Sequence, residues 1–166
     1  MSRKHVNPLL CGLYLFAFGL LIIACSDSSN PNIRQLTNND ADDVRPVWSP
    51  DGTQIAFQSM RDGIGEIFVM DADGSNIRQL TNNNASDWIP AWSPDGTQIA
   101  FQGSRDGDYE IFVMNADGSN VRQLTNNNAN DLKPVWSPDG TQIAFEGSRD
   151  GDSKIFVVDV DGSNAN

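Results

Sequence analysis

The sequence predicts an all-β protein, a β-propeller built from three four-stranded blades of 44 residues each. Three observations carry this expectation. The decapeptide WSPDGTQIAF stands at Trp48–Phe57, Trp92–Phe101 and Trp136–Phe145, with starts 44 residues apart. A fixed period of that length is the mark of one supersecondary unit used repeatedly. Turn residues recur at constant offsets inside each period, and the runs between them are short and show no 3.6-residue periodicity. Four short strands joined by tight turns in each period is the layout of a propeller blade.

The units run 33–76, 77–120 and 121–164, with units one and two identical at 34 of 44 positions and units two and three at 33. Residues 33–166 are therefore one array of modules. Within unit one, Pro46-Val47-Trp48 reads as the first strand, and Ser49-Pro50-Asp51-Gly52 as a type I turn. Proline fixes φ at the second turn position and glycine relieves the exit. Gln54-Ile55-Ala56-Phe57 follows, so the repeated decapeptide is an inner hairpin. Arg61-Asp62-Gly63 marks a second reversal and Asp71-Ala72-Asp73-Gly74-Ser75-Asn76 a third. Between them lies Glu66-Ile67-Phe68-Val69-Met70, whose four consecutive apolar residues ask for burial on both faces. A sheet stacked between two neighbours meets that demand. Trp48, Trp92 and Trp136 are expected to pack between blades. The last run, Ile77-Arg78-Gln79-Leu80-Thr81, reads as the outer strand of the preceding blade. The first copy of that run, at 33–37, then has no blade before it, and the third blade has no outer strand. An open arc of this kind is expected to leave apolar side chains such as Phe68 and Phe156 at its two ends.

The head of the chain is of another kind. Arg3, Lys4 and His5 precede the uncharged apolar run Leu9–Ala24, which ends in Ile22-Ile23-Ala24-Cys25. Sixteen residues are short for a membrane-spanning helix. The ending resembles the bacterial lipoprotein signal, in which a cysteine is lipidated before cleavage. That resemblance implies a signal peptide at 1–24, lipidation of Cys25 and a polar tether at 25–32, with an uncleaved anchor helix as the alternative. Ser26 after the cysteine implies the outer membrane, facing the periplasm or the cell surface. Several buried acyl chains hold a protein on a bilayer far better than one. Loss of residues 1–24 removes two basic groups and no acidic ones, so the formal charge passes from −11 to −13. Such a surface is a poor ligand for a phosphate backbone, whose binding depends on cationic groups, and no nucleic-acid partner is expected. It is a solvated acidic surface that aids solubility.

The repeated pattern P-x-W-S-P-D-G, I-A-F, S-R-D-G, I-F-V-M-D-A-D-G-S-N and R-Q-L-T resembles the propeller repeats of the TolB family. Related repeats cap some serine peptidases of the prolyl oligopeptidase group. The resemblance covers residues 33–164 and implies the fold. It is weak for function, because propellers host unrelated activities. The chain is expected to depart from the family in two respects: in lacking an additional α/β domain before the propeller, and in having a lipoprotein-type signal.

His5 and Cys11 both lie in the expected signal peptide and Cys25 is expected to carry lipid. A Ser-His-Asp or Cys-His arrangement is thus excluded from the mature chain, as is a zinc site of ordinary type. A carboxylate pair could serve glycoside hydrolysis, yet the acidic residues read as turn formers repeated in every unit. Asp71–Asn76 and Asp159–Asn164 resemble the front of a calcium loop, but glycine comes fourth and no glutamate closes the loop. No cofactor and no metal is expected. The units differ at Val44, Trp88 and Leu132, at Arg45, Ile89 and Lys133, and around Tyr109, positions expected before the inner strand and in the turn before the third. Trp88, Tyr109, Arg45 and Lys133 are the candidate contacts to an envelope protein or glycan. The expected function is a non-enzymatic binding or scaffold module anchored to the membrane through lipid. The alternatives are a fragment of a longer propeller protein, or a polysaccharide-active enzyme resembling the oligogalacturonate lyase group. Three blades do not comfortably make a ring, and a homodimer completing six blades is the expected assembly.

Overall fold

The computed structural model describes residues 11–14 and 22–25 by their backbone, and residues 32–161 and 163 in full. The chain divides into two units, Met1–Leu36 and Thr37–Asn166. In the first, β1 (Cys11–Tyr14) pairs antiparallel with β2 (Ile22–Cys25), setting Cys11 opposite Cys25. The remainder of the expected signal peptide and the tether residues 26–31 lie outside the described residues, as does the side chain of Cys25.

The second unit contains three antiparallel sheets. Blade one is β3 (Asp43–Trp48), β4 (Gln54–Ser59), β5 (Glu66–Asp71) and β6 (Arg78–Gln79). Blade two is β7 (Asp87–Trp92), β8 (Gln98–Ser104), β9 (Tyr109–Asn115) and β10 (Arg122–Gln123). Blade three is β11 (Asp131–Trp136), β12 (Gln142–Arg149) and β13 (Asp152–Asp159). Strand order follows chain order, so each sheet is a simple meander. The sequence-predicted offset is present: Arg78–Gln79 and Arg122–Gln123 close blades one and two, and no described strand pairs with the outer edge of β13.

Local chemistry explains each hairpin. The Ser49 carbonyl accepts from Gly52 N at 2.9 Å, and Gly52 takes φ 71°, which glycine adopts without a Cβ clash. Asp51 accepts from Ser49 Oγ at 2.6 Å and from Thr53 N at 3.0 Å, so one carboxylate ties both sides of the turn. Ser93-Pro94-Asp95-Gly96 and Ser137-Pro138-Asp139-Gly140 repeat this arrangement. The segment that resembled a calcium loop is the hairpin turn between third and fourth strands, with Gly74 N bonded to Asp71 O and Ser75 N to Asp73 Oδ1.

The core lies between blades. Ala56, Ile67 and Val69 of blade one meet Trp92, Ile99, Phe101, Phe112 and Met114 of blade two. Ala100, Ile111 and Val113 of blade two meet Trp136, Ile143, Phe145, Phe156 and Val158 of blade three. Each strand therefore sends alternate residues to opposite neighbours, which is why the third strands read as unbroken apolar runs. Trp92 and Trp136 are buried at 8% and 9% exposure, as expected. Trp48 is not. It is 56% exposed, although Ile55, Phe57, Phe68 and Met70 of blade one are buried.

The arc ends also differ from expectation in which residues they expose. Phe156 is half-buried, since alternation puts it on the same face as Phe145 and Val158, against blade two. Phe68 is buried, stacked on Phe57 with the Arg61 guanidinium 4.8 Å above its ring. The apolar residues that blade three leaves in water are Val135, Ile155 and Val157.

Candidate functional site

A meander places alternate connections at opposite ends of a blade. One end carries the Ser-Pro-Asp-Gly turns, and the other the Arg-Asp-Gly turns together with the links between blades. The two ends have different chemistry.

At the Ser-Pro-Asp-Gly end, clefts of about 330 and 310 Å³ open between successive turns. Trp92 with Pro50 and Pro94 lines the first, and Trp136 with Pro94 and Pro138 the second. Asp51, Asp95 and Asp139 edge them, each held below the usual carboxylate range by the serine hydroxyl and threonine groups of its own turn. For Asp139 the value falls to about 2. These carboxylates are ionised and already saturated with donors inside their turns, so they serve as turn supports.

The link end contains what sequence reasoning missed. Asp43, Asp87 and Asp131 each begin an inner strand and pair with an arginine eighteen residues on, Arg61, Arg105 and Arg149. The shortest contacts are 3.3, 2.5 and 2.8 Å. Each guanidinium lies over a phenylalanine of the third strand, 4.8, 4.7 and 4.6 Å from the ring centres of Phe68, Phe112 and Phe156. The looser pair in blade one has a steric cause. A Cβ on Gly103 would stand 2.6 Å from Asp87 Oδ1 and one on Gly147 2.9 Å from Asp131 Oδ1, whereas blade one carries Ser59 there. Ser59 Oγ then accepts from Arg61 Nε at 3.0 Å.

Behind these pairs sits a buried carboxylate on the preceding blade. Glu110 accepts from Thr125 Oγ1 and from Asn127 N, both at 2.6 Å, and Asn127 Nδ2 donates to Asp131 at 2.8 Å. Glu66, Thr81, Asn83 and Asp87 make the same chain of contacts one blade earlier. Burial raises both glutamates above their ordinary value; the threonine and asparagine donors oppose this, and the neighbouring aspartate adds to it. The acids expected only at turns are thus partly buried couplings between blades. The readable signal was the constant eighteen-residue Asp-to-Arg spacing in all three units.

The four predicted contact residues do not form one site. Trp88 and Tyr109 come together, with ring centres 5.9 Å apart, and both are half-buried rather than exposed. Trp88 lies against Gly65 of blade one so closely that a Cβ there would meet Nε1 at 2.1 Å, and that Nε1 has no hydrogen-bond partner among the described residues. Lys133 binds Glu146 through Nζ at 2.9 Å and Gln102 through its backbone N–H at 3.0 Å. Arg45 is exposed. Val44, Trp88 and Leu132 with Arg45, Ile89 and Lys133 lie inside the inner strands, at a bulge where the latter three all take φ 55°, and Tyr109 opens β9. A cavity of about 90 Å³ at the same end is lined by Arg105, Asp108, Glu110, Gln123, Asn127 and neighbouring polar residues, with neither ring of the aromatic pair in its wall. Among the described residues no group of three His, Cys, Asp or Glu is placed to hold a metal ion.

The fold has close structural relatives. The putative TolB from Agrobacterium tumefaciens superposes with a TM-score of 0.72 and 30% identity, over 88% of this chain and 53% of that one. TolB from Acinetobacter baumannii gives 0.70 and 26%, over 88% of this chain and 36% of the relative. An oligogalacturonate lyase in complex with manganese gives 0.56 at 19% identity, over 90% of this chain and 39% of the lyase, a likeness of fold alone. The chain spans about half the length of the first relative and about a third of the second. No curated protein matches it in sequence. Residues 81–166 match the TolB beta propeller domain, and with three stacked antiparallel blades on either side of those tryptophan-centred junctions, the chain belongs to the TolB β-propeller family.

Proposed function

We propose that the protein is a non-catalytic binding module of the bacterial envelope, held at the outer membrane by lipid on Cys25 and contacting a protein or glycan through blade two. One observation carries the reading: among the described residues the Trp88–Tyr109 ring pair occurs in blade two alone. Blades one and three have Val44 with Gly65 and Leu132 with Ser153 at those positions. Two half-buried rings in contact suit a sugar face or an apolar peptide side chain. The likeness to TolB proteins supports an envelope location.

A non-enzymatic role is favoured because the buried acids, Glu66, Glu110, Asp87 and Asp131, are all engaged in holding blade to blade. The test is binding of the purified protein to isolated peptidoglycan and to detergent-solubilised envelope proteins, comparing parent with Trp88→Ala and Tyr109→Ala. Loss of at least tenfold in retained material with unchanged melting supports the reading. Equal retention by both variants overturns the assignment of the site.

A further inference from the structure

We infer that the turns at Asp62-Gly63, Asp106-Gly107 and Asp150-Gly151 are sites of spontaneous covalent change, at which aspartate converts through a succinimide to isoaspartate, and that the fold withholds the other Asp-Gly pairs from this reaction. The chain contains nine Asp-Gly pairs, three in each 44-residue unit. All share the residue pair in which the reaction is easiest, because glycine puts no side chain in the way of its own amide nitrogen. The structure divides them into three sets by what holds the carboxylate and the amide.

In the Ser-Pro-Asp-Gly set both groups are engaged. Asp51 Oδ1 accepts from Ser49 Oγ at 2.6 Å and from Thr53 Oγ1 at 2.9 Å, and the amide of Gly52 donates to Ser49 O at 2.9 Å. Asp95 and Asp139 are bound alike, with Gly96 and Gly140 donating to the carbonyls of Ser93 and Ser137. These carboxylates are held below the usual range by their donors, so they stay ionised, and an ionised carboxylate is a poor electrophile. In the set between third and fourth strands, Asp73, Asp117 and Asp161 each accept from the amide of a serine two residues on, at 2.8, 2.8 and 2.9 Å. There Gly74 and Gly118 donate to Asp71 O and Asn115 O.

The Arg-Asp-Gly set lacks these restraints. Asp62, Asp106 and Asp150 are exposed, and among the described residues their carboxylates accept no hydrogen bond. The amides of Gly107 and Gly151 have no backbone acceptor among those residues either, while Gly63 N donates to Met60 O at 3.1 Å. Arg149 pairs with Asp152, so Asp150 and Gly151 lie outside the ladder, at φ 53° and 84°. A Cβ at Gly63, Gly107 or Gly151 would meet nothing within 4 Å, which leaves room for a ring to form. The expected order is therefore Asp106 and Asp150 first, Asp62 next, and the six restrained aspartates last.

The reaction is balanced by water alone. The glycine nitrogen gives up its proton and its electron pair attacks the aspartate Cγ. A C–N bond forms, a C–O bond breaks, and the carboxyl oxygen leaves as water. Water then adds to the five-membered imide and breaks one of its two C–N bonds. Cleavage at the backbone carbonyl leaves the chain running through Cγ, with one more carbon in the turn and a free α-carboxylate. Cleavage at the side-chain carbonyl restores aspartate.

The test incubates the full chain at neutral pH and physiological temperature for several weeks. Isoaspartate is then read in its peptides, by unchanged mass with altered retention and by methylation with an isoaspartyl-specific methyltransferase. The Asp106 and Asp150 peptides should exceed those of Asp51, Asp95 and Asp139 by about tenfold or more, since hydrogen bonds to a charged group must first break in the latter. The same incubation in guanidinium chloride should bring all five to a similar level. Asp106→Glu should lose the label from its own peptide and keep it at Asp150. Equal conversion of the five sites in the folded chain overturns the inference. So does the same ranking in guanidinium chloride, because local sequence and not the fold would then set it.

Discussion

At the scale of the residue, the same side chain has different worth in different units. Trp92→Ala should lower stability by about 3–5 kcal/mol, as truncation of a large aromatic in a core does. Trp48→Ala, at a position that is largely exposed, should change it by less than about 1 kcal/mol. Urea unfolding of the two variants checks both, and equal losses would contradict the packing described. Acid–base behaviour follows from environment in the same way. Glu66 and Glu110 have folded pKa values above the ordinary 4.5, so the fold favours their protonated forms. That contribution is complete below 4.5 and is lost as pH rises through the raised folded value. Asp95 and Asp139 are depressed below 3.8, so their contribution is complete above 3.8 and is lost as pH falls, for Asp139 through about 2. Glu110→Gln should accordingly flatten the pH dependence of unfolding above 4.5 and leave the acid limb unchanged. A curve identical to the parent's would mean that Glu110 titrates normally. The tryptophan positions were legible because their motif repeats. The buried glutamates were not, because a carboxylate at the start of a strand looks the same whether it faces water or a threonine hydroxyl on the next link.

At the scale of the element, the turns were readable and the inner strands were not. Proline, aspartate and glycine state their turn chemistry in one dimension. The inner strands begin at Asp43, Asp87 and Asp131, three residues earlier than the apolar pattern indicates. The reason is the bulge, which breaks the two-residue alternation and turns Arg45, Ile89 and Lys133 into the left-handed region. A β-branched residue is strained there. Ile89→Gly should therefore stabilise by about 1 kcal/mol or less, or be neutral, where glycine inside a regular strand would destabilise. A loss above that size would show that the Ile89 side chain is held by packing. Gly65→Ala acts in the other direction: its Cβ would overlap Trp88 Nε1, so it should shift the indole fluorescence and lower stability by about 1–3 kcal/mol.

At the scale of the molecule, the anchor and the array are separate propositions with separate tests. Cys25→Ser should abolish metabolic labelling by palmitate and release the protein or leave its signal uncleaved. Unchanged labelling would remove the lipid from the proposed function without touching the fold. The array itself was legible almost entirely from its period, since the blades, their order and the offset of the outer strand all follow from one repeated unit. Which face each end presents was not legible, because alternation is fixed only when a neighbour is seen on one side.

The near-identity of the two internal junctions has a consequence for how such a chain can change in length. Trp92 of blade two rests on Ala56, Ile67 and Val69, and Trp136 of blade three rests on Ala100, Ile111 and Val113, the same three residue types. Excision of residues 77–120 would join Asn76 to Val121 and bring Trp136 onto Ala56, Ile67 and Val69, a junction already present in kind. Nearest-neighbour coupling then predicts a folded two-blade product, and a chain with one unit duplicated that is more stable than the parent. The gene can gain or lose 132 nucleotides, three for each of the 44 residues in a unit, while every remaining contact keeps its partner type. Its length is thus open to recombination between its own repeats.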